Sequence, residues 1–155
     1  MSCFNPQEQK TIARALAILE ERARHNDVLL SSPSLAADYL RLRIGALEHE
    51  VFGVLWIDPE NRLIEAEELF RGSLMRASVY PREVVKAALA HNAASCFLYH
   101  NHPSSQAIPS RADIELTANL KAALALVDVR VIDHIVVTAR CSMTCAKQEL
   151  LEMLL

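Results

Sequence analysis

Residues 95–137 read SCFLYHNHPSSQAIPSRADIELTANLKAALALVDVRVIDHIVV, and this stretch decides the fold class. It opens on Ser95 to Tyr99, an apolar run of strand length with two aromatic residues. His100 to Pro109 is polar and rich in serine and proline, so it reads as a loop. Alanine and leucine at helical spacing then fill Ser110 to Val127, and Val129 to Val137 returns to β-branched residues. A strand, a helix and a strand in succession are the units of an α/β structure.

Upstream, Val51-Phe52-Gly53-Val54-Leu55-Trp56-Ile57 has the composition of a buried strand. Asp58-Pro59-Glu60-Asn61 is a turn, and Leu63 to Phe70 alternates as a second, antiparallel strand. Pro81-Arg82-Glu83 opens a helix that continues through Val84, Val85, Ala88 and Leu89. Two further helices come first. Asn5-Pro6-Gln7-Glu8 has the cap, proline and returning acid of a helix start, followed by Ile12, Leu16 and Leu19, and this helix is predicted to end near Asn26. Ser32-Pro33-Ser34 begins the second, which Gly45 stops. Lys147 to Leu155 reads as an apolar-faced helical tail. The expected fold is α/β, a mixed sheet flanked by helices, with a short N-terminal helical extension over 1–31 and one domain over 32–155.

The chain has 155 residues, 52% of them apolar and 23% charged, enough for a core without disulfides. No apolar run reaches the roughly 20 residues of a membrane span, and the opening MSCFNPQEQK has no apolar signal core. A cytoplasmic location without membrane association is therefore expected. The net charge of −3 argues against a broad electrostatic footprint for DNA. Cys3, Cys96, Cys141 and Cys145 are too scattered for a secreted disulfide framework, and no second pair completes a structural zinc site around Cys141 and Cys145.

Six histidines are many for so small a chain. His100 and His102 stand two apart at a strand end, where both side chains point to one side. Asp113 follows in the first turn of the next helix. Two imidazoles and a carboxylate can converge on one metal with a coordination position open to water, the pattern of a catalytic zinc site. Zinc lowers the pKa of such a water to about 7 and so makes a nucleophile available at neutral pH. Chance gives an H-x-H pair about 0.2 times in a chain of this composition, and the set with Ser110 and Asp113 at fixed offsets about 0.001 times. The other four histidines read otherwise: His134 as a core histidine, or one that supports a ligand, bonded to a neighbour rather than a fourth zinc ligand, and His25, His49 and His91 as ordinary residues at element ends.

The spacing His100-Asn101-His102, Ser110, Asp113 resembles the JAMM motif (H-x-H-x7-S-x2-D) of MPN-domain metallopeptidases. HNHPSSQAIPSRAD, with EVFGVLWIDPENRLIEAEELFRGSL before it and DVRVIDHIVV after it, is similar more narrowly to the RadC-type branch. The resemblance implies an MPN/JAMM-like fold and a zinc metallopeptidase holding one Zn2+ per chain through His100, His102 and Asp113. It further implies that Glu50, from an E-x-x-G strand start, acts as general base and acid, and that Ser110 steadies the reacting oxygen. Protein or peptide is the implied substrate. Ser110-Arg111-Ala112-Asp113 is also a helix-capping pattern. Two departures stand out: Ser105 occupies the family's usual glycine position, and the chain is too short for the N-terminal region of longer relatives. RadC-like proteins also suggest a DNA-repair or DNA-processing accessory, for which Arg62, Arg71, Arg76 and Arg82 are the available basic residues, and a third alternative is a non-catalytic interaction module.

Overall fold

The fold is described for residues 4–25, 32–72, 79–104, 106–147 and 153 of a computed structural model. Helix α1 (Pro6–His25) starts as its sequence predicts: Asn5 Oδ1 accepts from the amides of Gln7 and Glu8, and Glu8 Oε2 accepts from the Asn5 amide. These bonds satisfy amides that a helix start leaves without partners. Ser32 caps α2 (Pro33–Ile44) by accepting from the Leu35 amide. Gly45 ends α2, but at φ −61° rather than in the left-handed region. It is glycine for lack of room, because a Cβ there would lie 2.5 Å from Arg41 O and 2.8 Å from Thr138 O.

Five strands follow: β1 (Val51–Ile57), β2 (Leu63–Arg71), β3 (Ser95–Asn101), β4 (Arg130–Val137) and β5 (Ser142–Thr144), with α3 (Pro81–Ala90) before β3 and α4 (Arg111–Ala125) between β3 and β4. They form a mixed sheet in the order β2-β1-β3-β4-β5. β3 and β4 are parallel, joined by α4, and the other neighbours are antiparallel. The β1–β2 turn is built on Asp58, whose Oδ1 accepts from the amides of Glu60 and Arg62.

β3 runs two residues further than its apolar stretch predicts. His100 pairs with Phe52 on one side and Val136 on the other, and Asn101 pairs with Val137. Neighbours on both sides extend a strand whose own sequence has already turned polar. β5 is not apparent in the sequence: it has three residues, none fully buried, and gains its strand geometry from β4. Residues 148–152, 154 and 155 of the predicted tail helix lie outside the described residues, as do Cys3, Arg76, Ser105 and the predicted end of α1 at Asn26.

Alternate strand residues feed two cores. Leu55, Ile57, Phe97, Tyr99, Ile135 and Val137 pack with α2 and with Ala23 of α1. Phe52, Val54, Trp56, Cys96, Leu98 and Val131 pack with α3 and α4. This burial on both faces is why β1 and β3 read as unbroken apolar runs rather than alternating ones. The edge strand β2 is covered as well: Arg24 of α1 donates to Ile64 O at 2.5 Å, and Arg43 of α2 donates to Ala66 O at 3.0 Å. Arg43 also ion-pairs with Glu20 of α1, which accepts from the Tyr39 hydroxyl at 2.6 Å. No helix among the described residues is long and apolar enough to cross a membrane.

Candidate metal centre

His100 lies on the side of β3 that faces α4, in register with the buried Leu98 and Cys96. His102 follows on the same side just past the strand, its amide donating to Val137 O at 2.9 Å. Asp113 enters from the first turn of α4, where Ser110 is the N-cap. The three side chains bring their donor atoms within 4.8 Å of one another. His100 Nε2 is 2.9 Å from His102 Nε2 and 3.3 Å from Asp113 Oδ1, and His102 Nε2 is 3.4 Å from Asp113 Oδ2.

The two imidazole nitrogens and the carboxylate are close enough to share one small cation. With zinc–ligand bonds of about 2.0–2.1 Å, ligand atoms sit roughly 3.3 Å apart. The hydrogen bonding points the same way. His102 Nδ1 lies 3.1 Å from Gln106 O, which only accepts, so Nδ1 carries a proton and, in the neutral ring, Nε2 presents a lone pair. A lone pair beside an acceptor carboxylate, with a second imidazole nitrogen at 2.9 Å, is a cluster that a positive charge must hold together.

The same field acts on the protonation of these groups. Burial works against ionisation of Asp113, yet hydrogen bonds from the protonated rings of His100 and His102, together with the one from Ser110, hold its carboxyl well below the usual carboxylate range. The hydrogen bond to Asp113 raises the pKa of His102 against the effect of burial. His134 is fully buried, and burial together with the charge of His100 pushes its pKa well below the ordinary value. A proton and a metal ion therefore compete for one place.

Ser110 makes the predicted capping box. Its Oγ accepts from the Asp113 amide at 3.2 Å and donates to Asp113 Oδ2 at 2.7 Å, while the Ser110 amide donates to the same oxygen at 2.7 Å. Its hydroxyl proton is thus committed to Asp113 and must turn away to reach a reacting oxygen. Glu50, directly before β1, is half-buried, and its carboxylate has no hydrogen bond or ion pair among the described residues. Its charge helps to raise the His102 pKa, so it lies within electrostatic reach of the cluster. A cleft of about 340 Å³ opens beside the loop after His102, walled by Gly45, Glu48, Pro103, Ser104 and Arg140.

Three further residues support this site, and of these the sequence singles out only His134, as a histidine bonded to a neighbour. Asn101, fully buried between the two histidines, accepts from the Val51 amide at 2.7 Å and donates to His49 O at 2.9 Å. It therefore ties the segment carrying Glu50 to the strand carrying His100. Thr117 and His134 form a buried chain to His100: Thr117 Oγ1 is 2.6 Å from His134 Nδ1, and His134 Nε2 is 2.8 Å from His100 Nδ1.

The side chains of the remaining histidines meet partners outside the cluster. His25 pairs with Glu21, His49 meets Arg71, and His91 stacks on Trp56 and bonds Glu67 Oε2 at 2.8 Å. Of the basic residues considered for nucleic acid, Arg62 pairs with Glu60 and Arg82 with Glu83.

A family model described as the RadC-like JAB domain matches residues 30–150. The chain is 57% identical over 139 residues to a UPF0758 protein of Polaromonas sp. strain JS666, an alignment covering 89% of this chain and 60% of the relative. It is 58% identical over 133 residues to a UPF0758 protein of Aromatoleum aromaticum, covering 86% and 59%. Against a UPF0758 protein of Methylibium petroleiphilum it is 58% identical over 152 residues, covering 96% and 68%. The chain thus spans about 60% of the length of the first two of these relatives.

Proposed function

The chain belongs to the RadC-like JAB domain family, and from that membership we propose that it is a zinc-dependent metallohydrolase that cleaves peptide or isopeptide bonds. The observation that carries this reading is the convergence of His100, His102 and Asp113 on one point, with Glu50 near enough for its charge to act on His102. The donor set of two imidazoles and one carboxylate suits zinc and leaves a position for water.

When bound there, zinc supplies a positive charge that makes water acidic near neutral pH and polarises a carbonyl. His100 and Asp113 hold the geometry, each braced by the bonds described above. Glu50 takes the proton of the attacking water and returns it to the leaving nitrogen. Ser110 donates its hydroxyl to the oxyanion that develops, which requires the rotation away from Asp113.

Metal analysis of protein purified without a metal-binding tag tests this directly. About one zinc per chain is expected, and it should be lost in His100→Ala or Asp113→Ala. Glu50→Gln should keep the zinc and lose peptide hydrolysis. A wild-type protein that remains metal-free in the presence of zinc contradicts the reading.

A further inference from the structure

We propose that Thr117 and His134 are positioning residues that lock His100 in the tautomer carrying its proton on Nδ1, leaving the Nε2 lone pair aimed at Asp113 and His102. The proposal rests on the metal-centre reading above only in its consequence for affinity. The tautomer itself follows from the direction of the buried hydrogen bonds.

Thr117 has a single hydroxyl proton. Its Oγ1 lies 2.6 Å from Asp113 O, a carbonyl that can only accept, so the proton sits there. Two oxygens at that distance without a proton between them would repel. Oγ1 must then accept from its other close partner, which puts a proton on His134 Nδ1 at 2.6 Å. His134 is fully buried, its ring edge is against Phe52, and its two nitrogens face Thr117 and His100, neither of them an anion. It is neutral and carries one proton, so its Nε2 is an acceptor. The contact of 2.8 Å from that nitrogen is therefore a hydrogen bond donated by His100 Nδ1.

Every bond in the chain thus runs one way, from His100 through His134 and Thr117 to the main chain of Asp113. One hydroxyl sets both a ligand's tautomer and the first turn that carries another ligand. With the opposite polarity, His100 would present an N–H to the centre and could not bind a cation. Partners of this kind, which fix a ligand histidine through its other nitrogen, typically change metal affinity by about 10- to 100-fold.

Two-bond 1H–15N NMR of the metal-free protein at a pH where His100 is neutral reads the tautomer directly. The wild type should show His100 protonated on Nδ1, and Thr117→Val should show a mixture, whereas Thr117→Ser should keep the wild-type pattern. In competition with a chromophoric chelator, Zn2+ affinity should fall about 10- to 100-fold in Thr117→Val and stay near wild type in Thr117→Ser. A His100 protonated on Nε2 in the wild type, or a folded Thr117→Val that binds zinc as tightly as wild type, overturns the proposal. If Thr117→Val does not fold, the wild-type spectrum decides alone. A wild type with the Nδ1–H tautomer but no zinc affinity supports the positioning role and refutes the metal-centre reading, so the two fail separately.

Discussion

At Gly53 a single methyl group would sit 2.3 Å from the ring of Tyr99 and 2.5 Å from Glu67 O. Tyr99 is fully buried and donates its hydroxyl to that same Glu67 carbonyl at 3.2 Å, so the ring has nowhere to go. Gly53→Ala should therefore destabilise the fold by about 1–3 kcal/mol or more, the usual cost of overpacking a core, read as a lower urea midpoint. Ser110 shows the opposite dependence, on a bond rather than on space. Ser110→Ala removes the acceptor for the Asp113 amide and the donor to Asp113 Oδ2, and should cost about 1 kcal/mol in metal-free protein. Ser110→Thr, which keeps the hydroxyl, should recover most of it in the same denaturation experiment.

At the scale of elements, the site is the C-terminal end of β3 meeting the N-terminal turn of α4, with the segment before β1 drawn in beside them. Asn101 makes that third connection. Asn101→Leu would leave the Val51 amide and the His49 carbonyl without their side-chain partner, a loss of about 1–3 kcal/mol for buried groups. The Val51 amide should then exchange with solvent much faster, and unchanged protection there would contradict the role assigned to Asn101. The same region shows how far the sequence could be read. His100, His102 and Asp113 were legible because their spacing is local and their chemistry unusual. Asn101 and Thr117 were not, because their partners lie 50 and 17 residues away and no local pattern encodes such a bond; His134 was legible as a bonded core histidine, but its partner His100, 34 residues before it, was not. The extra length of β3 and the existence of β5 likewise come from neighbouring strands. Gly45 was located correctly as a helix end, but for a reason of crowding that only the approach of Thr138 reveals.

For the molecule as a whole, burial of weak acids sets a limit on the alkaline side. Burial pushes the Cys96 thiol from its ordinary 9.0 up to about 12. Burial also raises the Tyr39 and Tyr99 hydroxyls above the ordinary 10.0. The unfolded chain releases these protons first, so their stabilisation is complete below pH 9 and is lost as the pH rises toward 12. Cys96 alone should contribute a loss of about 1.4 kcal/mol per pH unit above 9. Urea unfolding at pH 8 and pH 10 should show the decline, and Cys96→Val should make it shallower.

The two arginines on β2 have a further consequence. An edge strand exposes main-chain groups that can recruit another extended chain, and Arg24 and Arg43 occupy two of those acceptors from helices that are themselves held to the core. Packing of α1 and α2 thus does more than complete one layer. It closes a growth point at which copies of the protein could add to one another as a continuous intermolecular sheet, so loosening α1 would show itself as self-association and fibre formation before it showed as loss of the central strands.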